Sequence, residues 1–186
     1  MQPLSYLAYV AANAHTMLSQ REDVDPARIG VVGHSYGGKW SMFAGALYEK
    51  FAAVVVSDPG VVFDEARPNV NYWEPWYLGY APGPVLRPRG PLSGEHGRVG
   101  PYKTMIETKT DLHELHALIC PRPFLVSGGA EDQPERWKAL NHALAVNKLL
   151  GVEGRVGMSN RPEHKISPEA SEQIAAFFVS FLGRKP

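Results

Sequence analysis

Apolar residues recur at helical spacing at the start of the chain, at Leu4, Leu7, Ala8, Ala11 and Leu18, and predict a helix over 3–20. The polar turn Asp23–Arg28, with Pro26 inside it, delivers the chain into an unbroken apolar run, Ile29-Gly30-Val31-Val32. So short a run, bounded by turn residues, reads as a buried strand. A helix follows from Gly37 to about Lys50, then a second buried strand, Ala53–Ser57. Residues 60–110 keep no lasting period and are rich in proline, glycine and aromatics. Periodicity returns with a helix over 111–118 and a strand at Phe124–Ser127. A helix over 134–150 is expected to face inward through Trp137, Leu140, Leu144 and Leu149, and Arg155–Met158 is a weak last strand. Ser167 can cap a final helix with Pro168 in its first turn, burying Ile174, Phe177, Phe178 and Phe181.

Strand and helix alternate throughout, which implies an α/β fold: a mostly parallel sheet with helices on both faces. No repeat or domain boundary interrupts the pattern, so residues 1–186 read as one domain with an irregular, lid-like insert at about 60–110.

Composition narrows the function classes. The chain has 186 residues, 44% of them hydrophobic, enough for a substantial core. Lys plus Arg balances Asp plus Glu at 19 each, so no net field favours nucleic acid or an anionic membrane as partner. A single cysteine, Cys120, excludes an internal disulfide and reads as a buried thiol. No segment is long and apolar enough to span a bilayer, and no signal peptide is expected in this chain.

The candidate chemistry sits between the first strand and the second helix. Gly33-His34-Ser35-Tyr36-Gly37 fits G-x-S-x-G, the nucleophile elbow, in which a sharp strand-to-helix turn lifts the serine hydroxyl to the end of the sheet. Small residues on either side keep that turn free of clashes. A serine hydroxyl needs a base to take its proton, and the base needs an acid to orient it. In the α/β-hydrolase order these follow the serine as acid, then histidine. Asp132, on the loop leaving the strand that ends at Ser127, is the first choice for the acid, with Glu131 its solvated neighbour. His164 lies on the loop before the last helix and is the expected base. His34 is expected to point to the opposite side of its strand as a packed or hydrogen-bonded residue. His113 and His116 stand three apart rather than the four familiar in helical zinc sites, and no third ligand accompanies them, so no metal is expected.

With these residues in place the chain resembles the α/β-hydrolase superfamily, and within it carbohydrate esterases of the glucuronoyl-esterase and acetylxylan-esterase type, together with dienelactone-hydrolase and prolyl-oligopeptidase-like domains. Gly33–Lys39, Phe51–Gly60, Leu118–Phe124 and Arg161–His164 carry the resemblance. It implies a second candidate acid, Asp58, after the strand that follows the elbow helix. It implies Lys39, four residues after the serine, as a binding residue for a sugar or anionic substrate, and no cofactor. Those esterases usually have arginine directly after the serine, where this chain has Tyr36. Several strands normally precede the helix at 3–20, and one of their loops normally gives an oxyanion donor. This chain is therefore expected to be an N-terminally shortened hydrolase, with the Tyr36 N–H as the other donor. An exposed sheet edge would favour homo-oligomers.

Within the insert, Tyr72, Trp73, Trp76, Tyr77 and Tyr80 fall close together. Aromatic faces of this kind stack on sugar rings or form a satellite core, and Trp73 and Trp76 are the candidate substrate-binding residues. The expected function is a serine hydrolase of carboxylic esters, acting on a small-molecule or saccharide ester. A serine peptidase of prolyl-oligopeptidase type and an inactive hydrolase fragment that only binds are the alternatives.

Overall fold

In the computed structural model, which describes residues 3–64 and 100–183, four parallel strands fix the geometry of everything else. Helix α1 spans Pro3–Leu18 and a 3-10 turn at Pro26–Arg28, capped by the Asp25 carboxylate, leads into β1 (Gly30–His34). Then come α2 (Tyr36–Leu47), β2 (Ala53–Ser57), α3 (Gly100–Glu107), α4 (His113–Ile119) and β3 (Phe124–Gly128). A 3-10 segment at Pro134–Leu140, α5 (Asn141–Leu149), β4 (Val156–Asn160) and α6 (Pro168–Leu182) complete the order. The strands lie in the order β1-β2-β3-β4, all parallel, as the alternation predicts.

The register aligns the carboxyl ends. His34 pairs with Ser57, Ser57 with Ser127, and Ser127 with Ser159. Side chains on loops leaving these strands therefore emerge side by side. β2 and β3 are buried along their whole length, which is why their sequences are unbroken apolar runs rather than alternating ones. Each of Val54, Val55 and Val56 is fully enclosed, a burial that stabilises by roughly 1.5–3 kcal/mol per side chain.

The main core joins α1, α2 and α4 to the sheet through Leu4, Met42, Val54, Ile119, Phe124 and Val126. α2 comes close because residue 45 is glycine: a Cβ there would lie 2.6 Å from the Val54 side chain. α6 covers the opposite face, with Phe178 over Gly30. Its cover is thinner than the sequence predicts: Ile174, Phe177 and Phe178 are half-buried and Phe181 is exposed. Val32 of the edge strand β1 is likewise half exposed.

The helix predicted over 134–150 is two elements. A 3-10 segment beginning at Pro134 changes the rotation per residue, so the apolar positions no longer share one face. Trp137, Leu144 and Leu149 face solvent, while Leu140, Ala143 and Asn147 point inward.

Candidate active site

The turn between β1 and α2 carries Ser35 in an unusual backbone conformation, φ 56° and ψ −115°. Such a geometry for a non-glycine residue costs on the order of 1–3 kcal/mol and persists only where its surroundings enforce it. Here the Ser35 N–H donates to the Ser57 carbonyl at 2.7 Å, and its own carbonyl accepts from the Lys39 N–H at 3.2 Å. Close approach explains the neighbouring glycines. A Cβ on Gly33 would fall 1.9 Å from the Gly37 carbonyl oxygen, and one on Gly38 only 3.0 Å from Pro59. Gly37 itself has open space where its Cβ would lie, so the steric demand falls on Gly33 and Gly38 rather than symmetrically about the serine.

The Ser35 hydroxyl lies 2.8 Å from His164 Nε2, and His164 Nδ1 lies 2.6 Å from Asp58 Oδ2. A carboxylate only accepts, so the proton sits on Nδ1, and Nε2 accepts from the serine. The three groups come from the carboxyl end of β1, the carboxyl end of β2 and the loop after β4. The 129 and 106 residues separating His164 from its two partners are closed by the parallel register. This arrangement can draw a proton from a serine hydroxyl, hold the imidazolium that results, and return the proton to a leaving group.

The acid is where the structure and the first sequence expectation part. Asp58, the alternative, meets the imidazole; Asp132 turns away from it. Asp58 adopts φ 51°, a left-handed conformation that swings its carboxylate toward the loop after β4. Its other oxygen, Oδ1, accepts from the backbone N–H groups of Glu131 and Asp132 at 3.0 and 2.8 Å. Asp132 is fully buried and returns the contact, accepting from the Gly60 N–H at 2.9 Å and the Val61 N–H at 2.7 Å. Each carboxylate thus grips the other's loop. Desolvation pushes the Asp132 carboxyl up to about 6, against the pull of those two backbone donors. Glu131 enters this clasp through its backbone.

Further anchors fix the segment that carries Asp58. The Asp111 carboxylate accepts from the Phe63 N–H at 3.1 Å, and Arg136 pairs with Asp64. Gly129 leaves room for the acid: a Cβ there would lie 2.6 Å from Asp58 Oδ2. Of the glycine pair at this strand end, Gly129 is the one whose missing Cβ makes that space; a Cβ on Gly128 would meet the Asp132 carbonyl oxygen at 2.4 Å.

Comparisons with known proteins bear on the fold. The profile of the prolyl oligopeptidase family matches residues 10–88. A comparison with curated protein sequences finds no match. Among solved structures, a promiscuous esterase of carbohydrate esterase family 15 from a marine bacterial metagenome superposes with TM-score 0.73 at 20% identity, over 98% of this chain and 49% of that one. A glucuronoyl esterase from Solibacter usitatus gives 0.70 at 21% identity, over 98% and 50%. One from Caldicellulosiruptor kristjansonii gives 0.69 at 24% identity, over 96% and 50%.

The fold is that of the α/β hydrolases.

The chain spans about half the length of the solved structures it matches. Within this α/β-hydrolase fold the remaining candidates take distinct places. Tyr36 opens α2, so its backbone N–H lies at the positive end of that helix, directly after the serine. Lys39 is buried rather than solvated. Its ammonium donates to the Pro59 carbonyl, and desolvation lowers its pKa to about 8. His34 does not face away from the site: its ring tilts against that of His164, with centroids 4.7 Å apart, and its Nδ1 lies 3.2 Å from Ser57 Oγ. Desolvation, with the nearby His164 and Arg161, holds the His34 pKa below its usual value and so favours a neutral ring beside the other imidazole. Trp73 and Trp76, with the other insert aromatics, lie outside the described residues. His116 faces the core, 3.3 Å from the Ala139 carbonyl through Nδ1, and no cluster of metal-ligating residues occurs among the described residues.

Proposed function

We propose that this chain is a serine hydrolase of carboxylic esters, with saccharide esters as its substrate class. The observation that supports this most directly is the unbroken hydrogen-bonded chain from the Ser35 hydroxyl through His164 to Asp58. In this reading the Ser35 oxygen attacks the ester carbonyl while His164 Nε2 takes its proton. The tetrahedral oxyanion is met by the Tyr36 N–H at the start of α2. Collapse expels the alcohol, which receives the proton from His164, and leaves an acyl group on Ser35. Water, deprotonated by the same imidazole, then releases the acid. Asp58 holds the imidazole in the required tautomer throughout. The saccharide preference is supported by the solved structures the fold resembles, described as glucuronoyl esterases.

A second reading, a serine peptidase, is favoured by the match to the prolyl oligopeptidase family over residues 10–88. Hydrolysis of p-nitrophenyl acetate, a methyl glucuronate ester and a peptide p-nitroanilide, each by wild type and Ser35→Ala, separates the two. Ester turnover lost in Ser35→Ala supports the esterase. Turnover of the anilide alone would favour the peptidase, and equal rates in both proteins would remove the catalytic reading.

A further inference from the structure

The loop that carries His164 is held by one side chain outside the Ser35–His164–Asp58 chain. Arg161 follows β4 directly and is only 8% exposed. Its backbone N–H donates to the Gly128 carbonyl at 3.1 Å. Its Nη1 donates to the Ser127 carbonyl at 3.0 Å, to Ser127 Oγ at 3.1 Å and to the Gly128 carbonyl at 3.1 Å. Its Nη2 donates to the His164 carbonyl at 2.8 Å and to Ser57 Oγ at 3.3 Å, and its Nε donates to the Lys165 carbonyl at 2.8 Å. These acceptors are carbonyl and hydroxyl oxygens, so the buried guanidinium acts here as a geometric fork rather than through an ion pair.

We propose that Arg161 is a positioning residue for the catalytic imidazole: it ties the backbone of the His164 loop to the carboxyl ends of β2 and β3, and so sets where the ring stands. The strand ends it grips are those whose loops carry Asp58 and the clasp at Asp132. One planar group thus references the base to the acid and, through Ser57, to His34, which packs against the base. Lysine cannot replace it, because three donors on a single nitrogen do not span two strands and two successive loop carbonyls. The inference rests on the proposed esterase reading for its kinetic consequence but not for its structural one.

A second, half-buried arginine provides the control. Arg122, at the opposite end of the sheet, donates to the carbonyls of Tyr48, Phe51, Gly45 and Leu118, far from the His164 loop. The experiment compares Arg161→Met, Arg161→Lys and Arg122→Met in the full chain. It reads the thermal midpoint, the low-field proton resonance of His164 Nδ1–H in its bond to Asp58, and kcat and KM on p-nitrophenyl acetate. Both methionine variants are expected to lower the midpoint. Arg161→Met alone is expected to shift or abolish the resonance and lower kcat by ~10²-fold, the scale of an ångström misplacement, with KM changed by less than about threefold. Arg161→Lys is expected to move the resonance in the same direction, and it decides the question should Arg161→Met fail to fold. A wild-type resonance and kcat in folded Arg161→Lys would overturn the proposal. So would Arg122→Met, if it lost the resonance and kcat to the same extent. Activity that survives Ser35→Ala would defeat the esterase reading, while the resonance would still report whether Arg161 seats the ring.

Discussion

Asp58 and Asp132 leave the ends of adjacent strands, and the conformation of one residue decides which of them reaches His164. At φ 51° the Asp58 side chain reaches the loop after β4, while Asp132 is held by the Gly60 and Val61 N–H groups. The two acids should therefore fail differently. Asp58→Asn replaces an acceptor with an amide that favours the wrong imidazole tautomer, and kcat on p-nitrophenyl acetate should fall by ~10³–10⁴-fold. Asp132→Asn keeps only one oxygen acceptor for two backbone donors. It should cost about 1–3 kcal/mol in urea unfolding and reduce kcat by roughly tenfold or less. A larger kinetic loss in Asp132→Asn than in Asp58→Asn would reverse the assignment. The sequence supplied both acids but not the choice, because a left-handed aspartate before a proline looks like any turn residue. Gly129 was the readable hint, since only a missing Cβ leaves space for the Asp58 carboxylate.

At the scale of elements, the strands and the elbow were legible because their signals are local. β1 and β2 are short apolar runs bounded by turn residues, and the serine sits where strand period gives way to helix period. Helix faces were less legible where geometry changes midway. Trp137, Leu144 and Leu149 mimic an inward stripe, but the 3-10 segment at Pro134–Leu140 turns by a different angle from α5 and breaks it. The consequence is measurable. Leu149, 88% exposed, should accept Gln within ~0.5 kcal/mol of wild-type stability. Leu140, 3% exposed, should lose about 2–5 kcal/mol on substitution by Ala. Equal effects in thermal or urea unfolding would contradict these facings. The final helix illustrates the converse: its Phe177, Phe178 and Phe181 were readable as apolar, but periodicity does not report how fully a sheet face is covered.

Across the whole molecule, buried titratable groups tie stability to pH. His116 is enclosed between α4 and the 3-10 segment, and desolvation lowers its pKa from 6.5 to about 4. The folded state disfavours its protonation, so its contribution is fully present above pH 6.5 and is lost as pH falls toward 4. Replacing it by leucine should remove that slope. The stability of His116→Leu relative to wild type should rise by on the order of 3 kcal/mol between pH 6.5 and 4. A pH-independent difference would contradict the burial of a neutral ring. Asp132 acts in the opposite sense: its raised pKa gives a contribution present below 3.8 and lost as pH rises through about 6. Asp132 lies beside the aligned strand ends, where parallel register converts distant residues into neighbours. The central claim is that this alignment makes Ser35 a nucleophile. Reaction with a fluorophosphonate probe at neutral pH, followed by intact-mass and peptide analysis, tests it most directly. A single adduct on Ser35, slowed at least ~10²-fold in His164→Ala, is the predicted result. A folded wild-type protein with no adduct, or one labelled at Ser35 equally fast without His164, would contradict it.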